Sequence, residues 1–169
     1  TVGNRFCIQP MEGWDGTENG EPTDLTRRRW RNFGLSGAKL IWGGEAFAVV
    51  PEGRANPNQL MARPGSQQAM AELRQILLDA HGEVMDSTDD VLLGLQLTHS
   101  GRFCRPFSKD RMEPAILYRH PILDGKFGLE GDYPLMEDSY IDDLIGHYVR
   151  GAKLAWEAGY QFVDVKHCH

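Results

Sequence analysis

Cysteine is scarce in this sequence, and long apolar runs are missing. The 169 residues include three cysteines, Cys7, Cys104 and Cys168, and no CxxC spacing. This pattern argues against a disulfide framework and against a structural zinc site. No apolar segment approaches the ~20 residues that a membrane-spanning helix needs, and no signal-peptide pattern opens the chain. The composition therefore predicts a cytoplasmic protein with reduced thiols.

An excess of positive charge is also missing. The formal net charge is -6 and the pI is about 5.5, which argues against a nucleic acid or an anionic membrane as partner. One basic run stands out, Arg-Arg-Arg-Trp-Arg at residues 27–31, and we interpret it as one solvated helix face. With 41% hydrophobic and 25% charged residues, the chain has the composition and length of a single globular domain.

The most informative stretch is residues 90–102. It begins as an apolar run of strand length and then becomes polar at Gln96, Thr98 and His99. Such a run is typical of a parallel strand covered on both faces, and α/β folds place their ligands at the carboxyl ends of these strands. Alternation puts Gly94 and Gln96 on one face and the leucines at 93, 95 and 97 on the other. We therefore expect Gln96 to face a ligand.

Strands and helices alternate along the chain. Strands are predicted at residues 4–11, 38–42, 90–98 and 161–165. Helices are predicted from a cap at Thr23 or Asp24 to about Phe33, at 66–81, and from a cap at Asp138 or Ser139 to Gly159. Residues 103–135 are predicted to be a long loop. Gly43 and Gly44 indicate either a close approach of backbone to a flat ligand or a bulge. Met70, Leu73 and Leu77 form a stripe that predicts core packing.

This alternation predicts parallel strands joined by right-handed crossovers. Four such strands are too few to close an eight-stranded barrel, so the fold is either a small open sheet or the first half of a barrel. The chain starts without a methionine and stops inside a histidine cluster, and we expect it to be part of a longer protein.

Four blocks in this order carry a family resemblance. They are residues 4–11 (NRFCIQPM), 45–54 (EAFAVVPEGR), 94–102 (GLQLTHSGR) and 158–169 (AGYQFVDVKHCH). Together they resemble the old yellow enzyme family of flavin-dependent ene-reductases. The resemblance implies an α/β fold in which residues 1–169 are the N-terminal half of one FMN-binding (β/α)8 TIM barrel, about its first four β/α units. The flavin phosphate site and the tyrosine proton donor would then lie beyond His169.

The resemblance also assigns candidate site residues. Pro10 and Met11 match residues that lie against the flavin, and Ala46 matches a small residue beside the ring. Gln96 matches the glutamine that meets the flavin pyrimidine edge. His169 matches the second member of the pair that hydrogen-bonds the substrate carbonyl.

Two positions depart from the family pattern. The first member of the carbonyl-binding pair, usually histidine, aligns with Lys166, which could donate to the carbonyl oxygen or to the reduced flavin. The alternative for Lys166 is a structural pair with Asp164, which shares its face of the strand. Glu12 stands where many relatives carry a small or thiol residue that touches the flavin. Alternation turns His167 towards the helices.

A metal site is the rival interpretation of the C-terminal residues. His167, Cys168 and His169 are all possible zinc ligands, but Cys168 would point away from the two histidines and no third ligand is evident. We expect no metal.

The resemblance implies an enzyme in which NADH or NADPH reduces FMN, and the flavin then passes hydride to an electron-poor alkene such as an α,β-unsaturated carbonyl. The competing interpretation is a catalytically incomplete half-barrel, or a homologue that binds flavin or another ligand without turnover. Residues 1–169 alone are expected to be inactive. Homo-oligomerisation of the complete protein is an open alternative.

Overall fold

A computed structural model describes residues 1–166, which form a parallel sheet covered by helices. The strands in this part of the chain are β1 (Cys7–Ile8), β2 (Leu40–Ile41), β3 (Ala46–Ala48), β4 (Leu92–Thr98) and β5 (Phe162–Lys166). The α-helices are α1 (Asp24–Leu35), α2 (Gln67–Gly82), α3 (Pro121–Phe127) and α4 (Asp138–Glu157). Short 3-10 turns follow β3 at Pro51–Gly53 and β4 at Gly101–Phe103.

The sheet has the predicted parallel order. β1 pairs with β2, and β2 pairs with the beginning of β4, whereas β3 pairs with the end of β4. β5 lies along the other edge of β4. Because β2 and β3 occupy successive parts of one edge, they act as one interrupted strand, and spatial order then follows chain order. Parallel strands whose spatial order follows chain order are the arrangement found in α/β barrels.

The first two predicted strands are shorter than the sequence suggested. Only Cys7–Ile8 of residues 4–11 is a strand. Pro10 has no N–H to offer a ladder, and Asn4 uses its side chain to accept from the Lys39 N–H (3.2 Å) and to donate to the Gly37 carbonyl (2.9 Å). The strand predicted at 38–42 is Leu40–Ile41 and resumes at Ala46.

The hydrophobic core lies between the sheet and helices α1, α2 and α4. Leu93, Leu95 and Leu97 of β4 are almost completely buried there, as the alternation predicted. The predicted stripe on α2 is core as well, since Met70, Leu73 and Leu77 are buried. Helix α1 approaches α2 closely at Gly34, where a Cβ atom would lie 2.2 Å from the Leu77 carbonyl oxygen.

The basic run at residues 27–31 is not a single solvated face. Arg27 and Arg31 pair across to α2 with Glu72 (2.7 Å) and Glu83 (2.6 Å). Arg29 instead turns inward with its side chain 17% exposed, and Trp30 is completely buried. The prediction was wrong for these two residues. Five consecutive residues span more than one turn of a helix, so some of their side chains must face the core.

One helix cap and one whole helix also differ from the predictions. Glu137 is the N-cap of α4, one residue before the predicted choices. Helix α3 was missed inside the predicted loop. Its signals are Pro121 in the first turn and Gly128 after the last, with φ of 65°.

Among the described residues, none of the helices has the length and apolarity to cross a membrane.

The outer face of α4 is apolar and exposed. Ile145 is 57% exposed and Val149 is 49% exposed. Trp156, on the same helix, is 74% exposed. A helix that covers this sheet therefore leaves apolar surface without a neighbour in the described part of the chain.

Candidate functional site

Gln96 lies at the centre of the site, on the face of β4 turned away from the helices. The register pairs it with Ala46 on one edge and with Asp164 on the other. Its side-chain Nε2 donates to Asp164 Oδ2 at 2.6 Å. Gly94 precedes it on the same face, where a Cβ atom would lie 2.3 Å from the Phe162 ring. The face predicted from alternation is confirmed, but the space at Gly94 is filled by Phe162.

The two glycines form a bulge between β2 and β3. Gly43 and Gly44 have φ of 90° and 37°, values that suit glycine. The N–H of Gln96 is shared between the carbonyls of Gly43 (3.3 Å) and Glu45 (3.2 Å). A Cβ atom on Gly43 would lie 2.9 Å from Gln96 Cβ and 3.1 Å from Pro10 Cβ. The bulge therefore brings Pro10 next to Gln96.

Met11 and Ala46 join the same group. The Ala46 N–H donates to the Met11 carbonyl at 3.0 Å, which ties the end of β1 to the start of β3. Met11 is 55% exposed, whereas Ala46 is buried. The four predicted flavin-contacting residues other than Lys166 thus lie together, around the bulge and the adjoining residues of β3 and β4.

Lys166 forms an ion pair, but not with the partner that the sequence suggested. Its Nζ lies 3.0 Å from Glu12 Oε1, while Asp164 binds Gln96 instead. The alternative of an Asp164 partner is therefore wrong. Glu12 and Lys166 are also the two positions that depart from the family pattern, and the structure joins them to each other.

A buried charge cluster behind this group was missed by the sequence analysis. The Arg29 guanidinium binds Glu45 and also Asp15, with Nε 3.0 Å from Asp15 Oδ2. Glu45 Oε1 accepts the Gly13 N–H at 3.0 Å. Burial raises the pKa of Glu45 to about 7, although Arg29 opposes the shift. Only the inward turn of Arg29 reveals this cluster, and nothing in the basic run indicated which arginine faces inward.

Beyond β4, a polar network links three segments. The Gly101 N–H donates to His99 Nδ1 at 3.0 Å, so Nε2 carries the proton that faces the Tyr140 hydroxyl at 2.9 Å. Tyr140 in turn donates to Glu52 at 3.2 Å. Desolvation lowers the pKa of His99, against the opposing effect of Glu52. The network fixes the turn after β4 against the start of α4.

A cavity of about 480 Å³ lies beside this network, between α4 and the excursion that follows β4. Its lining combines apolar and aromatic side chains with polar groups, and includes His99, Arg102, Tyr118, Ile141, Tyr148 and Lys166. Arg102 is buried and held by Asp124 and by the Tyr118 carbonyl at 2.8 Å. Lys166 therefore borders both this cavity and the Glu12 carboxylate.

The remaining candidate residues lie outside the described part of the chain. They are His169, predicted to bind the substrate carbonyl, and the rival metal cluster of His167, Cys168 and His169. Within residues 1–166, no group of three or more His, Cys, Asp or Glu side chains is placed to hold a metal ion.

Comparison with solved structures identifies this architecture. An Old Yellow Enzyme from a Pichia species matches with a TM-score of 0.70 and 20% identity, covering 97% of this chain and 42% of that one. The fold is that of part of an old yellow enzyme barrel. An old yellow enzyme homologue from Zymomonas mobilis gives a TM-score of 0.67 at 21% identity, covering 96% of this chain and 44% of its own.

Morphinone reductase in complex with tetrahydroNAD also matches, with a TM-score of 0.70 at 17% identity, covering 97% of this chain and 45% of its own. The chain thus spans less than half the length of these old yellow enzyme structures. Comparison of the sequence with protein-family models and with curated proteins gives no match.

The chemistry of the site fits the flavin of old yellow enzymes. Met11 offers exposed apolar surface, and Gln96 and Lys166 supply an amide and an ammonium near it. The Thr98 hydroxyl, two residues after Gln96, is buried and has no hydrogen-bond partner among residues 1–166. An apolar surface edged by polar groups is typical of small-molecule and cofactor sites.

Proposed function

We propose that this chain is the N-terminal half of an FMN-dependent oxidoreductase. The complete enzyme would carry hydride from NADH or NADPH through the flavin to an electron-poor alkene such as an α,β-unsaturated carbonyl. The observation that carries the proposal is that Pro10, Met11, Ala46 and Gln96 lie together around the bulge between β2 and β3. These are the residues that the resemblance assigns to the flavin, and their grouping in a barrel of this type supports the assignment.

In this proposal, Gln96 and Lys166 hold the polar edge of the flavin, and Pro10, Met11 and Ala46 flank its ring. The hydride chemistry belongs to the bound flavin, while the protein orients and polarises the acceptor. The amide of Gln96 now binds Asp164, so this side chain would exchange one polar partner for another. Such an exchange avoids leaving a buried amide unpaired.

Lys166 and His169 would act on the acceptor. Negative charge develops on the carbonyl oxygen as hydride reaches the alkene, and donors aimed at that oxygen stabilise the charge in the transition state. Lys166 is an ammonium close to the open cavity. Its position at the end of β5 is where catalytic residues of α/β barrels occur.

A second candidate is a homologue that binds flavin or another ligand without turnover. One observation favours it. The two donors assigned to the site, Gln96 and Lys166, are already engaged by the carboxylates of Asp164 and Glu12. A site whose donors stay with these carboxylates would bind a ring but would not polarise a substrate.

The absorption spectrum of the complete protein distinguishes these candidates. We expect it to purify with FMN, to lose its visible absorbance when NADH or NADPH is added without oxygen, and to recover it when an enone is added. Absorbance that bleaches but does not return with any enone would favour the non-catalytic candidate. A protein that neither purifies with FMN nor binds it when FMN is added would contradict both.

The proposal extends to partners and location. The partner is a small unsaturated carbonyl compound, with no nucleic acid or membrane involved, and self-association of the complete protein is compatible with it. The proposed compartment is the cytoplasm, where thiols such as those of Cys7 and Cys104, unpaired in the structure, stay reduced.

A further inference from the structure

The carboxylate of Glu12 has a partner on each oxygen. Lys166 Nζ lies 3.0 Å from Oε1, and the Trp14 indole Nε1 donates to Oε2 at 3.3 Å. The side chains of Glu12 and Lys166 are only 14% and 21% exposed. With both oxygens engaged and little solvent around them, the carboxylate has a fixed orientation.

The backbone of Glu12 is held on both sides. The carbonyl of Met11 accepts from the Ala46 N–H, and the N–H of Gly13 donates to the Glu45 side chain, each at 3.0 Å. Glu45 is itself buried and held by Arg29. Glu12 lies between these two hydrogen bonds. Its two chain neighbours are therefore fixed to Glu45 and Ala46, which are consecutive residues.

Trp14 adds an unusual backbone conformation. Its φ is 51°, in the left-handed region that a bulky residue rarely adopts. This conformation returns the indole N–H to Glu12, two residues earlier in the chain. Strained conformations of this kind persist where surrounding contacts impose them, and they concentrate at functional sites.

The ion pair connects distant parts of the sheet. Glu12 follows β1 and Lys166 ends β5, which are the outermost strands of the described sheet. The ion pair therefore directs the Lys166 ammonium towards the loop after β1 and away from Asp164, its neighbour on the same face.

From these contacts we infer that Glu12 is a positioning residue for Lys166, fixing the ammonium where it meets the acceptor. This inference rests on the proposed function, in which Lys166 acts on the acceptor carbonyl. A lysine side chain has a flexible four-carbon stem, and a misplacement of about 1 Å in a reacting group can cost about 10²-fold in rate. An oriented carboxylate limits that freedom before the acceptor binds.

The first test needs no activity. The complete protein is freed of flavin, treated with an amine-acylating reagent, and the rate of modification at Lys166 is followed by mass spectrometry. We expect Glu12→Ala to raise this rate severalfold because the ammonium loses its partner. Glu18, an exposed residue of the same loop, supplies the matched control, and Glu18→Ala should leave the rate unchanged. An unchanged rate in Glu12→Ala would overturn the inference.

The second test separates the two half-reactions. Glu12→Ala should slow reoxidation of the flavin by an enone at least about 10-fold, and slow its reduction by the nicotinamide much less, since only reoxidation uses the Lys166 ammonium on the acceptor carbonyl. The double variant Glu12→Ala/Lys166→Ala should be reoxidised no more slowly than Lys166→Ala alone, because the two residues act as one unit. Should Glu12→Ala fail to fold, Glu12→Gln keeps the shape of the side chain and removes its charge.

The outcomes for the two proposals are distinguishable. If Lys166→Ala slows reoxidation but Glu12→Ala and Glu12→Gln react at the wild-type rate, Glu12 does not position Lys166 and the proposed function stands. If the unaltered complete protein transfers no hydride to any enone, the proposed function fails, and the acylation rates alone decide whether Glu12 holds Lys166.

Discussion

Gln96 donates its side-chain amide to Asp164 across the β4–β5 pair, with Nε2 2.6 Å from Oδ2. The hydrogen bond places the amide on the face that the sequence assigned to the ligand. It also means that the amide has a polar partner before any ligand binds.

We expect Gln96→Leu in the complete protein to weaken FMN binding. The substitution leaves the flavin edge without the amide that Gln96 would supply, and an unpaired buried polar group costs roughly 1–3 kcal/mol. The dissociation constant, measured by flavin fluorescence, should rise about 5-fold or more. Gln9→Leu, at an exposed position after β1, is the control. Unchanged affinity, spectrum and reduction potential in Gln96→Leu would mean that Gln96 does not meet the flavin.

Packing on the same face is tested at Gly94. A Cβ atom there would lie 2.3 Å from the Phe162 ring, and overpacking of this kind costs typically 1–3 kcal/mol. Gly94→Ala should therefore lower the urea midpoint of unfolding. Gly82, where a Cβ atom meets nothing within 4 Å, provides the matched comparison, and Gly82→Ala should be neutral or stabilising. Equal midpoints for the two variants would contradict the packing described at Phe162.

The buried Glu45 predicts a pH dependence of stability. Burial raises its folded-state pKa from 4.5 to about 7, so the folded protein holds a proton that the unfolded chain releases between these values. Stability should therefore fall as pH rises from about 4.5 to about 7 and stay level above that. The shift corresponds to an upper bound of about 3 kcal/mol. Urea unfolding of wild type and Glu45→Gln at pH 5 and pH 8 measures it, and the variant should lose this part of the slope. The same slope in both proteins would rule out Glu45 as its source.

The sequence predicted the sheet well because the parallel strands carry strong local signals. The apolar run of β4 indicated which face is core, and Gln96 was placed on the correct side from alternation alone. The bulge at Gly43 and Gly44 was one of two alternatives, since glycines do not by themselves distinguish a bulge from close contact with a ligand.

Other features depend on contacts that no local pattern shows. The Glu12–Lys166 ion pair joins residues 154 positions apart, and alternation suggested only the nearby Asp164. The inward turn of Arg29 depends on Glu45 and Asp15 from other segments. Helix α3 was missed because its seven residues are too few to show a periodic apolar pattern.

Residues 1–169 alone should bind FMN weakly and self-associate. The resemblance places the flavin phosphate site outside this chain, and the exposed Ile145, Val149 and Trp156 on α4 offer an apolar surface to another copy. Light scattering at increasing concentration and FMN titration measure the two properties. A monomeric polypeptide of these residues that purifies with stoichiometric FMN would contradict the expectation.

Stopped-flow measurement of the two half-reactions tests the central claim most directly. In the complete protein, Lys166→Ala and His169→Ala should each slow reoxidation of the flavin by an enone about 10²- to 10³-fold, and leave its reduction by the nicotinamide comparatively intact. His167→Ala should be milder, because alternation along the strand predicts a side chain that faces the helices. If His167→Ala abolishes reoxidation while Lys166→Ala has no effect, His167 and not Lys166 is the residue that acts on the acceptor. If none of the three variants alters reoxidation, these residues do not act on the acceptor.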